Sequence, residues 1–348
     1  MIKLDEIAKR VGVSRATVSR AINGSPLVNR KTADKIRQAM DEMGFDRTAL
    51  RPGPRSRPAD KQQLRIGTLA LVVLGATGDV LHDPGMATVI EAAQLATRKR
   101  GINLILDEMS SPAEIPLCVR KKQVDGVLLF AHPDFKDIRD EYSRRIAQLI
   151  PAVQLLGPAH SVPEIDHISV NDITVGDLAF QTLLGEGCQS MVVVQKRTVF
   201  HEALFVRGRA FLDRCRNEGI PARVLAAPVE ERDPAGYWPQ PATILSSLDD
   251  LPKCVADLPA PTGIFLTIQN QTREVNSTLS KAGLLRDNRC RLLVAGNTPA
   301  YVGHITPKPL TIEIPFHKIL AIAVDRLIYC VCHRPPEGLT FLVPPHLL

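Results

Sequence analysis

The chain has 348 residues, 45% of them hydrophobic and 23% charged, an ordinary globular balance at a length of about two domains. That excludes a disordered or collagen-like chain, and the lack of any run of about 18 apolar residues excludes a membrane-spanning helix. Residues 1–61 carry 14 Lys and Arg against 7 Asp and Glu, a net of +7, whereas residues 62–348 carry 29 against 30, a net of −1. A small basic head on a neutral body suggests that the head meets a polyanion.

The first ten residues, Met1 to Arg10, hold no apolar core and no small-residue cleavage site, so no secretory signal is read there and a cytoplasmic protein is expected. In the head, Leu4, Ile7, Ala8 and Val11 fall on one helical face. Gly12 suits the backbone that ends a helix, and Ser14 is placed to cap a second one. There Val18, Ala21 and Ile22 repeat the apolar spacing, leaving Arg15, Ala16, Ser19, Arg20 and Asn23 on the other faces. Asn23-Gly24-Ser25-Pro26 is a turn signal. A third helix is expected from about Asn29 to Gly44, with Ile36, Ala39, Met40 and Met43 inward and Phe45 folding back. Two short helices across a tight turn, then a third, form a helix-turn-helix unit. Its second helix fits the DNA major groove, where base edges carry a distinct donor and acceptor pattern.

The string Leu4-Asp5-Glu6-Ile7-Ala8 through Gly12-Val13-Ser14, Thr17-Val18-Ser19-Arg20 and Ile22-Asn23, continued by Val28, Lys31-Thr32 and Met43-Gly44-Phe45, resembles the opening of the lactose/galactose repressor family of bacterial transcription regulators. The resemblance implies that Arg15 and Ala16 open a recognition helix facing bases, with Arg20 further along. Arg20 is suited to a bidentate contact with guanine and Ala16 to a methyl contact, while Ser14, Thr17, Asn23 and Lys31 hold phosphates.

In that family the head is followed by a short hinge helix. Here the connector reads Asp46-Arg47-Thr48-Ala49-Leu50-Arg51-Pro52-Gly53-Pro54-Arg55-Ser56-Arg57-Pro58, and its prolines forbid a regular helix. Two readings stand: an extended arm laying Arg51, Arg55 and Arg57 in an A/T-rich minor groove, or a semi-rigid linker.

Beyond residue 63, strand-like runs at 65–74, 102–107, 124–130, 152–156, 191–195, 223–226, 263–268 and 291–295 alternate with helical patterns at 86–100, 174–186, 205–218 and 271–282. That alternation predicts parallel sheets with helices on both faces, in two lobes, with a small molecule bound between them at strand carboxyl ends. The resemblance continues through Arg98-x-Arg100-Gly101, Val124-Asp125-Gly126-Val127, Arg207-x-x-Ala210-Phe211 and Pro309-Leu310-Thr311-Ile312. It implies a core of periplasmic-binding-protein type. The expected architecture is thus an all-α helix-turn-helix head (1–45), a Pro/Arg-rich hinge or linker (46–63) and a two-lobed α/β effector-binding and dimerisation core (64–348).

By position in that family, His82 and Asp83 line the cleft, Arg207 is the effector-binding arginine, and Asp172 reaches the cleft beside Asn171. Gln269 and Asn297 stand where carboxylates are usual, which keeps a polyol possible and makes anionic or less hydroxylated ligands more plausible. Trp238, the one tryptophan, is a candidate stacking wall for a sugar.

The seven cysteines are scattered and odd in number, against a disulfide framework. Cys330, Cys332 and His333 offer no tetrahedral set, so neither metal nor cofactor is expected. No phosphate loop or nucleophile elbow appears, which argues against an enzyme. The expectation is a sugar-responsive regulator, a repressor and homodimer on double-stranded operator DNA. The rival is a regulator of the same fold that answers a protein partner or acts constitutively.

Overall fold

A computed structural model describes residues 4–22, 28–43, 64–75, 83–109, 111, 113–131, 136–157, 162–195, 202–226, 248–286 and 288–348. The chain divides into two compact units, Met1–Pro58 and Ala59–Leu348.

The first unit holds α1 (Leu4–Val11), α2 (Arg15–Ile22) and α3 (Arg30–Glu42). Gly12 takes φ +71°, and the Val13 amide donates back to the Ala8 carbonyl at 3.0 Å, the wrapped end that a left-handed residue permits. Asn29 caps α3 by accepting from the Lys31 amide at 3.0 Å. The helix stops at Glu42, two residues short of the expected Gly44, which with Phe45 lies outside the described residues. Ile7, Ala8, Val18, Ala21, Ile36, Ala39 and Met40 form the buried core, drawn from all three helices as the spacing requires.

The second unit contains two six-stranded sheets. The first has the order β11-β5-β4-β3-β1-β2, from β1 (Thr68–Leu74), β2 (Asn103–Met109), β3 (Gly126–Ala131), β4 (Ala152–Leu155), β5 (Asp166–Val170) and β11 (Thr340–Val343), all parallel. The second has the order β12-β10-β9-β8-β6-β7, from β6 (Ser190–Gln195), β7 (Ala222–Ala226), β8 (Thr262–Leu266), β9 (Cys290–Ala295), β10 (Leu310–Glu313) and β12 (His346–Leu347). Only β12 is antiparallel there. The helices are α4 (Pro84–Arg98), α5 (Leu117–Arg120), α6 (Lys136–Leu149), α7 (Asp172–Gly185), α8 (Glu202–Asn217), α9 (Leu251–Ala256), α10 (Thr272–Lys281), α11 (Pro299–Val302) and α12 (Phe316–His333). Central strands such as β1 and β6 are buried along their whole length, as sheets covered on both faces demand.

The eight expected strands are present with shifted ends. Residues 65–67 leave β1 because their amides go elsewhere: the Asp125 carboxylate accepts from Arg65, Ile66 and Gly67 at 3.1, 2.8 and 2.7 Å. Missing from the expectation were β5, β10, β11, β12 and the helices α5, α6, α9, α11 and α12.

The chain passes between lobes three times: from β5 into α7, from β10 into α12, and from β11 into β12. The passages are bonded together. The Asn171 amide donates to the Val343 carbonyl at 2.9 Å, and Ile312 and Glu313 pair with Leu347 and His346. The return to the first lobe is anchored by Asp166, which accepts from Arg326 Nε and the Leu339 amide, each at 2.6 Å. Among the described residues no helix is long and apolar enough to cross a membrane, and no three His, Cys, Asp or Glu side chains gather to hold a metal.

Candidate functional site

Two regions concentrate unusual polar chemistry. In the head, Val18 and Ala21 anchor α2 on the core, and this fixes which face the helix turns outward. Ser14, Arg15, Ala16 and Arg20 are exposed, Thr17 and Ser19 half-buried, and Lys31 is exposed at the start of α3. Ser14 Oγ accepts from the Thr17 amide at 3.1 Å and lies 2.9 Å from Thr17 Oγ1. Arg15 sits 3.5 Å from Asp5 in a pair exposed on both sides, weak enough for a polyanion to replace. The structure therefore leaves these expected residues along α2 and at the start of α3 exposed or half-buried rather than in the core. Asn23, Arg51, Arg55 and Arg57 lie outside the described residues.

The second region is where strand order reverses in the second lobe. β6 has β7 on one side and β8 on the other, and ligands of open α/β sheets bind at the carboxyl ends of such strands. Gln195 ends β6, and Thr267 follows β8 beside it, its amide donating to the Val194 carbonyl at 3.3 Å. Both side chains are buried. Among the described residues, neither amide atom of Gln195 nor the Thr267 hydroxyl has a hydrogen-bond partner, nor do Asn270 Oδ1 and Gln271 Oε1 in the turn that follows. Burying such groups unpaired costs about 1–3 kcal/mol each, so their clustering at a switch point marks a place for a hydrogen-bonding guest.

Beside them stands Arg207, expected from the family resemblance to bind the effector. It is instead buried, with Nε donating to Asp172 Oδ1 at 2.6 Å and Nη1 to the Thr267 carbonyl at 3.0 Å. Burial pushes the Asp172 carboxyl up, and the Arg207 charge and hydrogen bond pull it back down. The site's guanidinium is thus already neutralised.

The other expected residues are also engaged. Asp83 caps α4, accepting from the Gly85 and Met86 amides at 2.7 and 3.2 Å, and takes the Tyr301 hydroxyl at 2.7 Å. Gln269 donates to Thr298 Oγ1 and accepts from the Thr298 amide, both at 2.8 Å. Asn297 donates to Glu313 at 3.4 Å. Hence Asp172 and Arg207 are joined, and Gln269 and Asn297 are neighbours through Thr298. Asp83 approaches from the first lobe. His82 and Trp238 lie outside the described residues. Sequence reasoning missed Gln195, Thr267 and Tyr301. Gln195 had a signal, a polar residue closing an apolar run; the other two had none.

Residues 3–47 match the family model described as bacterial regulatory proteins, lacI family. The HTH-type transcriptional regulator CelR of Thermobifida fusca is 27% identical over 224 residues, 60% of this chain and 62% of that protein. Two solved structures share the fold over the whole chain. A CelR–cellobiose complex has a TM-score of 0.61 at 18% identity, covering 100% of this chain and 98% of that one. A lac repressor dimer bound to operator and an anti-inducer has 0.66 at 18%, covering 100% and 97%.

Proposed function

We propose that this chain, which belongs to the lacI family of bacterial regulatory proteins, is a sequence-specific DNA-binding transcription regulator, a repressor working as a homodimer in the cytoplasm. Each head lays α2 in the major groove of one half-site of a palindromic operator. Arg20 reads a guanine and Ala16 contacts a thymine methyl. Ser14, Thr17, Asn23 and Lys31 set the register on phosphates. Arg51, Arg55 and Arg57 extend into the adjoining minor groove. A small molecule between the lobes shifts operator affinity, a coupling of about 1–3 kcal/mol.

The observation that carries the DNA reading is the exposed polar face of α2 on a bundle whose apolar face is fully used. Selection of duplexes from a random pool by the full-length protein tests it. Enrichment of a palindrome, with affinity falling steeply as salt rises, is expected; a pool that stays random at moderate salt overturns the reading.

For the ligand, the unpartnered Gln195 amide and Thr267 hydroxyl call for an uncharged guest that both donates and accepts. Among the described residues, the cation beside them, Arg207, is already paired with Asp172. This favours a sugar or polyol, the class expected from the sequence, over the anionic ligands that Gln269 and Asn297 had made more plausible, in line with the cellobiose held by the CelR neighbour. A second reading rests on the engagement of Asp83, Asp172, Gln269 and Asn297 by protein groups: a cleft satisfied from within and a regulator answering a protein partner. A thermal-shift panel separates them. Stabilisation by neutral sugars over sugar phosphates supports the first reading, and no response to any of them supports the second.

A further inference from the structure

The two lobes of the body are tied by more than their three chain passages. Asp83 stands at the start of α4, on the first lobe, and its two carboxylate oxygens do different work. Oδ1 caps the helix through the Gly85 and Met86 amides. Oδ2 accepts the hydroxyl of Tyr301, which α11 supplies from the second lobe, at 2.7 Å. Gln269, also of the second lobe, comes to the same place: a Cβ built on Gly85 would lie 3.8 Å from its Nε2. Gln269 is itself held by Thr298, three residues before Tyr301. Desolvation, then the hydrogen bond to Asp83 and its charge, holds the Tyr301 phenol above its usual pKa, so it stays a donor at neutral pH.

We propose that Tyr301 and Asp83 form a clasp that holds the two lobes together directly. A hydrogen bond to an ionised carboxylate is of the stronger kind, and here one carboxylate serves both the helix cap and the opposite lobe. Release of Tyr301 therefore loosens the first turn of α4, and loosening of that turn releases Tyr301. The clasp biases the cleft toward the closed arrangement. It stands whatever the head binds and whatever ligand, if any, enters.

Hydrogen–deuterium exchange on the full-length protein tests it with three variants: Tyr301→Phe, Asp83→Ser and the double. Serine keeps a helix cap but withdraws the oxygen that reaches Tyr301. In Tyr301→Phe the Gly85 and Met86 amides, in the other lobe, are expected to exchange about tenfold faster, the change that loss of one such hydrogen bond brings. In Asp83→Ser the Tyr301 and Val302 amides speed up in turn, and the double variant goes no further than the singles at either place. Amides of β1 and β6 stay as in the wild type and certify that each lobe is folded. If Tyr301→Phe speeds only its own segment and leaves Gly85 and Met86 unchanged, the clasp is overturned. Should that variant disturb β6, Asp83→Ser decides alone, and unchanged Tyr301 and Val302 amides reject the proposal.

Discussion

Arg207 and Asp172 illustrate how much rests on one buried pair. Removing the cation by Arg207→Met leaves a buried carboxylate uncompensated, and a loss of about 3–5 kcal/mol is expected from urea unfolding at neutral pH. The sign of the pH dependence follows from Asp172, whose folded pKa burial already raises. Without Arg207 the influences pulling it down vanish and it rises further. A carboxyl raised in the folded state favours folding below its unfolded value and loses that advantage as pH climbs. The deficit of the variant therefore narrows as the solution is acidified below neutrality. The helices bearing these residues meet at Gly176 of α7, where a methyl group would overlap the Arg207 carbonyl and lie 2.8 Å from the Phe211 amide. Gly176→Ala is expected to cost about 1–3 kcal/mol through overpacking, read as a lowered melting temperature. Arg207 was legible in the sequence only through the family resemblance carried by Arg207-x-x-Ala210-Phe211. Its engagement by Asp172 was not, because the two lie 35 residues apart and meet only when α7 packs on α8.

Among elements, the head was the most legible, since three short amphipathic helices write their contacts at three- and four-residue spacing. Asn29→Ala removes the cap of α3 and is expected to lower head stability by about 1 kcal/mol, measured by the temperature at which α-helical signal is lost. Arg20→Ala and Lys31→Ala separate reading from holding. The first is expected to weaken the selected operator by about 1–3 kcal/mol and relax one base position. The second weakens all duplexes alike and lowers the salt slope by about one. In the body, central strands announce themselves as unbroken apolar runs. α12 does not read as amphipathic because its flanks are occupied too: it packs on α4 and under β3, β4 and β5. β11 and β12 have only four and two residues, mostly at least half-exposed, too short for a period to show.

At the scale of the whole molecule, the head proposed to read DNA and the body proposed to sense a ligand belong to separate compact units. A chain lacking residues 1–58 is expected to keep any sugar-dependent thermal shift and to lose all duplex affinity, as measured by fluorescence anisotropy. The two sheets repeat one strand order, and Gln195, the polar residue closing an apolar run at the switch point, was within reach of sequence reasoning. What the sequence could not place was the pairing across the cleft, because Asp83 and Tyr301 are 218 residues apart.

Strands β11 and β12 lie within eight residues of each other, yet each completes the edge of a different sheet. During synthesis, the first lobe thus waits for α12 and β11, which follow nearly all of the second, and the second waits for β12. Neither half is finished before the other. A nascent chain halted just short of Thr340 would display two bare backbone rims at once, each a template for unwanted pairing, which ties escape from aggregation to the addition of one eight-residue stretch, 340–347.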